Sequence, residues 1–274
     1  NMVDENAADG SSVGTVSASD PDAGETFTYR LTDDAGGRFA VNASTGEITV
    51  ADGSLLNYEA STSHSVTVRV TDSGGLTYDE AFTINLNDVN EDPTDLALAG
   101  DTVDENAANG TSVGTVSASD PDAGETFTYS LTDNAGGRFA VNAATGEITV
   151  ADGSLLDYEA STSHSVTVRV TDSGGLTYDD AFTINVNDIN EVPSDLALAD
   201  NTVDENAADG TSVGTVSATD QDVGETFTYS LTDDAGGRFA VNAATGEITV
   251  ADGSLLNYEA SASHSVTVRV TDSG

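Results

Sequence analysis

Residues 87–93 read Asn-Asp-Val-Asn-Glu-Asp-Pro, and residues 187–193 read Asn-Asp-Ile-Asn-Glu-Val-Pro. Each stretch sets acids and amides directly before a proline, at the end of a run with strand-like alternation. Proline fixes its own φ and biases the preceding residue toward extended geometry, so Asp88, Asn90 and Glu91 stand on a stiff, unpaired backbone. These are linkers made of oxygen ligands, and the chemistry open to them is cation binding. Thiolate metal sites and disulfides are excluded, because the chain has no cysteine.

The elements that carry these linkers repeat. Sliding the chain by 100 residues superposes Asp4 on Asp104 and Asp204, and Tyr58 on Tyr158 and Tyr258, without gaps. Of the first 100 positions, 14 differ from their counterparts in the second hundred. The chain is therefore read as three units of common domain size, 1–91, 92–191 and 192–274. The third stops where the first continues into Leu76 and its last strand, so the expectation is a segment of a longer array whose third unit lacks that strand.

The formal net charge is -41, and all seven cationic residues are arginine. Such a field repels nucleic acid and anionic membrane and favours cations as partners. No apolar run reaches membrane-spanning length, and no stretch of these residues reads as a signal peptide. Disordered acidic chains lack the phenylalanine, tyrosine and β-branched residues that recur here in alternating runs. A solvated acidic surface is the competing reading of the charge, but the acids cluster at turns.

Each unit alternates like an all-β domain. Phe27, Tyr29 and Leu31 face one way and Thr28, Arg30 and Thr32 the other; Val66, Val68 and Val70 alternate with Thr67, Arg69 and Thr71; Phe82, Ile84 and Leu86 alternate with Thr83, Asn85 and Asn87. Residues 33–37 and 42–46 are turns, the second closing a hairpin into Glu47–Val50. Six or seven short strands per unit and no helical period predict an antiparallel sandwich. An immunoglobulin-type core would show a cysteine pair and a tryptophan, and both residue types are absent.

Several short motifs, in order, resemble those of cadherin repeats across nearly the whole of each unit. They are Asp4-Glu5-Asn6, Asp20-Pro21-Asp22, Phe39-Ala40-Val41, Thr45-Gly46-Glu47-Ile48, Leu56-Asn57-Tyr58-Glu59, Thr71-Asp72 and Asp88-Val89-Asn90-Glu91. The resemblance implies tandem seven-stranded Greek-key β-sandwiches with calcium bound between neighbours. It also implies an extracellular or cell-surface setting. Near-identical repeats and strong acidity fit tandem modules of a bacterial surface adhesin or filament better than animal cadherins.

Carried over position by position, the resemblance assigns Glu5, Asn57, Glu59, Asp88, Asn90 and Glu91 to the first junction, completed by Asp120, Asp122 and Asp172 of the second unit. It assigns Glu105, Asp157, Glu159, Asp188, Asn190 and Glu191 to the second, completed by Asp220, Asp222 and Asp272. Asn57 stands where Asp157 stands one repeat later, so the first junction has one formal charge fewer and is expected to bind its outermost ion more weakly. Glu91 and Glu191 replace the family's second linker aspartate. Asp33, Asp34, Asp52 and Asp79 are read as turn-forming or solvated.

Other chemistries find less support. His64, His164 and His264 lie in Ser-His-Ser, read as exposed loop residues ahead of a strand, and no Gly-x-Ser-x-Gly elbow supplies a nucleophile. Paired acids such as Asp20 and Asp22 recur in every unit, which an active site rarely does. The reading is a non-enzymatic spacer or adhesive rod stiffened by calcium. Two alternatives remain: a carbohydrate-binding module using Tyr58 and Tyr78 on glycans, and a homophilic adhesion segment pairing identical chains. Arg38 is an exposed contact in the last reading, or an internal salt-bridge partner.

Overall fold

In the computed structural model, which describes residues 1–274, the alternating runs pair across two-layer sandwiches. The first module holds β1 (Met2–Asp4), β2 (Ser12–Thr15), β3 (Thr28–Asp33), β4 (Phe39–Val41), β5 (Glu47–Val50), β6 (Ser63–Thr71) and β7 (Thr77–Asn87). The second holds β8 (Asp95–Ala99), β9 (Thr102–Asp104), β10 (Ser112–Ser119), β11 (Thr128–Asp133), β12 (Phe139–Val141), β13 (Glu147–Val150), β14 (Ser163–Thr171) and β15 (Thr177–Asn187). The third holds β16 (Ser194–Ala199), β17 (Ser212–Thr219), β18 (Thr228–Asp233), β19 (Phe239–Val241), β20 (Glu247–Val250) and β21 (Thr267–Thr271).

The second module shows the complete topology. One sheet runs β12-β13-β10-β8 and the other β11-β14-β15-β9, with β9 parallel to β15 and the other pairings antiparallel. The eight segments are seven strands with the first one split. Gly100, at φ +89°, breaks it between β8 and β9 and sends the chain from one sheet to the other. That conformation is costly for any residue with a Cβ.

Strand alternation places one face of each run inward. Phe139, Ile148, Leu156, Val166, Val168, Val170 and Ile184 form the core, and each buried aliphatic side chain contributes about 1.5–3 kcal/mol. Phe39, Ile48, Leu56, Val66 and Ile84 repeat the arrangement in the first module. In the third, β18 and β21 make a sheet of two strands where the second module has four. Its core is smaller, and Val270 is only half-buried where Val170 is fully buried.

Two expectations need correction. His64 is not a loop residue: β6 begins at Ser63, so His64 lies inside the strand opposite Ile84 of β7. Its ring packs 6.3 Å from that of Phe39 and its Nε2 is buried. Burial, helped by Arg38, lowers its pKa. Arg38 is also not a salt-bridge partner. Its Nε donates to Leu55 O (2.9 Å) and its Nη1 to Ala35 O (2.7 Å), so the guanidinium ties two loops through their carbonyls.

Candidate metal centre

Each junction is built around a glutamate that follows the strand parallel to the module's last one. Past β1, Asn6 adopts φ 52°, the left-handed turn that asparagine tolerates better than most residues. Glu5 N donates to Asn87 O (3.1 Å). The Glu5 carboxylate, 2 % exposed, then accepts from Val89 N (2.9 Å) and Tyr58 N (2.7 Å). One side chain thus fastens the linker and the Tyr58 loop together. Glu105 does the same with Ile189 N (2.9 Å) and Tyr158 N (2.8 Å).

The next module supplies the other wall. In the Asp120-Pro121-Asp122 turn, Asp122 N donates to Asp120 Oδ1 (2.9 Å), and Asp122 Oδ2 accepts from the linker's Glu91 N (2.8 Å). Asn90 Nδ2 donates to Asp172 Oδ2 (2.9 Å). At the second junction Asp222 N donates to Asp220 Oδ1 (3.1 Å) and Glu191 N to Asp222 Oδ2 (2.9 Å). Linker and following module are joined directly at both places.

The carboxylates converge. Glu5, Glu59, Asp88 and Asp122 each bring one oxygen within 4.8 Å of the others. At the second junction Glu105, Glu159 and Asp188 form one such group, and Glu159, Glu191 and Asp222 another. Glu91 and Asp120 adjoin the first group and Asp172 adjoins Asp120, while Asp220 accepts from the Asp222 amide; Asp157 and Asp272 fall in none of the converging groups. Asn57 and Asp157 each cap a local turn, accepting from Ala60 N (2.5 Å) and Ala160 N (2.8 Å). Asn190 donates to Glu191 O (3.1 Å) and makes no bond of the Asn90–Asp172 kind.

Crowding shows in the titration behaviour. Partial burial first, then neighbouring carboxylates, raise Glu59, Asp88, Glu91 and Asp120 at the first junction and Glu159, Asp188 and Glu191 at the second. Asp172 moves the other way. Burial pushes it up, but hydrogen bonds from Asn90 and from the amides of Leu176, Gly175 and Gly174 together hold it low.

Several oxygens in these walls are buried without any hydrogen-bond partner: Glu91 Oε2, Asp120 Oδ2 and Asp122 Oδ1 at the first junction, and Glu159 Oε2, Glu191 Oε2, Asp220 Oδ2 and Asp222 Oδ1 at the second. An unpaired buried carboxylate oxygen is costly. Two unit charges about 4 Å apart also repel by roughly 4 kcal/mol at an effective dielectric of about 20. An all-oxygen donor set with orphaned anionic atoms fits a hard divalent cation of the calcium type.

Three positions of the repeat take part in the junctions although the motifs assign them no ligand role. Asn6 Nδ2 donates to Glu91 Oε1 (2.6 Å), and Asn106 Nδ2 to Glu191 Oε1 (2.8 Å), orienting the linker glutamates. Glu125 lies at the rim and accepts from Ser173 N (2.9 Å). Gly174 has no side chain where a Cβ would overlap Asn90 Oδ1. The available signal was recurrence of the Asn, Glu and Gly positions at every hundredth residue.

Of the remaining candidates, Asp33, Asp34 and Asp52 accept from backbone amides within their own turns. Asp79 pairs with Arg69 through two oxygens. Tyr58 packs against the core and Tyr78 is 65 % exposed.

The chain matches a family model described as the cadherin domain over residues 2–87, 102–187 and 200–274. It is 30% identical to human Protocadherin Fat 1 over 286 residues, spanning 99% of this chain and 6% of that protein. Its fold is similar to the crystal structure of mouse cadherin-23 EC22-24, with TM-score 0.71 and 29% identity, covering 100% of this chain and 90% of that one. It is also similar to protocadherin gammaB7 EC3-6, a cis-dimer structure, with TM-score 0.69 and 26% identity, covering 100% and 68%. No helix is long and apolar enough to cross a membrane.

Proposed function

The chain belongs to the cadherin family, and from that premise we propose that it is a calcium-stiffened segment of an extracellular rod. The observation that carries this reading is the set of buried, partnerless carboxylate oxygens of each linker and the module after it, joined by Glu159 at the second junction, which face converging carboxylates of the preceding module. Calcium bound there would neutralise the anionic cluster and accept oxygen donors from both sides. Glu5, Glu59, Asp88, Asn90 and Glu91 would hold it from the first module, with Asp120, Asp122 and Asp172 from the second. Glu105, Asp157, Glu159, Asp188, Asn190 and Glu191 would hold it at the next junction, with Asp220, Asp222 and Asp272.

The residues account for stiffness. A connector that keeps its backbone freedom is a flexible joint. Here Glu5 and Asp122 grip the linker amides of Val89 and Glu91 from opposite modules. A cation shared by these carboxylates fixes both grips at once. A ligand that binds only the assembled junction also stabilises it by mass action.

The sequence features supporting a bacterial surface adhesin or filament are repeat identity and the net charge of -41. Lateral pairing of identical chains is a second reading, favoured by the likeness to the protocadherin gammaB7 cis-dimer. A glycan-binding platform has less to stand on, since Tyr58 packs against the core. Calorimetric calcium titration of the chelator-treated chain tests the main reading. The expected result is binding that Asp88→Asn with Asp122→Asn removes at the first junction while the second still binds; a chain that takes up no calcium contradicts it. Sedimentation with calcium decides whether identical chains pair.

A further inference from the structure

The loop between β9 and β10 contains the chain's one Asn-Gly dipeptide, Asn109-Gly110. At the same place the first and third modules have Asp9-Gly10 and Asp209-Gly210. All three side chains do the same work. Oδ1 of Asp9, Asn109 and Asp209 accepts from the amides of Gly53, Gly153 and Gly253, each at 2.9 Å. Only the oxygen is used, so the amide nitrogen of Asn109 adds nothing to the bond that positions this loop. Asn109 and Gly110 are both exposed, and the space a Cβ would take at Gly110 is open.

We propose that Asn109-Gly110 is a site of spontaneous deamidation that the fold restrains, and that its aspartate product is the loop the neighbouring modules already build. Glycine leaves its own backbone nitrogen unhindered toward the preceding side chain. The Gly110 nitrogen gives up its proton and bonds to Asn109 Cγ, the Cγ–Nδ2 bond breaks, and that nitrogen leaves as ammonia. The resulting five-membered imide is opened by water. Attack at one carbonyl gives aspartate; attack at the other gives isoaspartate, with the main chain rerouted through the side chain.

The restraint is a hydrogen bond. Gly110 N–H donates to Val150 O (2.8 Å), as Gly10 does to Val50 and Gly210 to Val250. The nitrogen that must attack is therefore held in the sheet-capping turn, and reaction waits for that turn to open locally. The two products differ in fit. Aspartate keeps Oδ1 where Gly153 N needs it, as Asp9 and Asp209 do. Isoaspartate lengthens the backbone by one methylene within the loop that carries Glu105 and Asn106, and it displaces the oxygen from Gly153 N.

The test follows the amide-to-acid mass gain in the tryptic peptide 70–138, which contains Asn109, with fragmentation locating the changed residue. The full chain is incubated in mildly alkaline buffer, folded and in denaturing urea. Conversion at Asn109 is expected to be about tenfold or more slower in the folded chain, as local protection requires. Equal rates overturn the restraint, and conversion in urea at other asparagines but not at Asn109 overturns the site. Asn109→Asp is expected to unfold at the same temperature as the parent chain; a lowered midpoint overturns the claim that aspartate is accommodated.

Discussion

Glu5, Glu105 and Glu205 occupy the same place in the same Asp-Glu-Asn tripeptide, yet the first two are 2 % exposed and the third is exposed. Glu5 and Glu105 each accept one amide from the tyrosine loop and one from the linker. Glu205 accepts only from Tyr258 N (3.0 Å). Tyr258 itself is 67 % exposed, where Tyr58 and Tyr158 are half-buried. The difference teaches that the tripeptide alone does not set the carboxylate's environment. That environment is assembled when the last strand and its linker pass over the glutamate.

The sharpest way to break this contrast is to truncate the glutamate in both settings. Glu105→Ala leaves the Tyr158 and Ile189 amides without their charged acceptor, at a cost of about 2–3 kcal/mol to the second module in excess calcium. Glu205→Ala, made at an exposed site with one bond, is expected to cost under about 1 kcal/mol. Chemical denaturation of the two variants measures the difference, and equal losses would sink the account of assembled burial.

A smaller effect is expected from the seat of the linker. Gly174→Ala places a Cβ against Asn90 Oδ1, whereas at Gly74 the nearest atom to an added Cβ is Asp72 Oδ1 at an ordinary 3.4 Å. Displacing Asn90 costs roughly 1 kcal/mol or more, so calcium affinity at the first junction falls by about tenfold while Gly74→Ala leaves it unchanged. Calcium titration of both variants checks this.

Acidification tests the same walls without mutation. The pKa values of Glu59, Asp88, Glu91 and Asp120 are raised in the folded chain by burial and by neighbouring carboxylates. Their contribution to calcium-free stability is fully present below the unfolded carboxylate values and is lost as pH rises through the raised ones. Calcium must displace those protons, so affinity declines as pH falls into the raised range. Proton release on calcium addition, followed in weak buffer, should grow toward that range; no release there contradicts the crowding.

The smallest change is Asn57→Asp. It restores the carboxylate present as Asp157 while keeping the oxygen that caps the Ala60 turn. A modest gain in affinity at the first junction is expected, read in the same titration.

Much of the fold was legible because period-two alternation is a direct consequence of strand geometry. The runs around Tyr29, Val66 and Ile84 gave their strands and their buried faces. The repeat of one hundred residues gave the modules, and the order of the acidic motifs gave the family. The sequence was less informative where a residue's role depends on a partner far along the chain. The Ser-His-Ser of residues 63–65 looks like a loop until pairing with β7 extends β6 to Ser63. Arg38 looks available for an acid, but two carbonyls reach it first. Gly174 resembles any turn glycine, and only the arrival of Asn90 from the preceding linker explains its missing side chain. Asn6 is an ordinary turn asparagine until its amide is seen to orient Glu91.

Small-angle scattering with calcium, and then with chelator, tests the central claim most directly. With calcium the three modules should scatter as a stiff rod of defined maximum dimension; with chelator the repelling carboxylates at both junctions should release the linkers, and the profile should become that of a flexible chain of beads. An unchanged maximum dimension and unchanged flexibility would contradict the account.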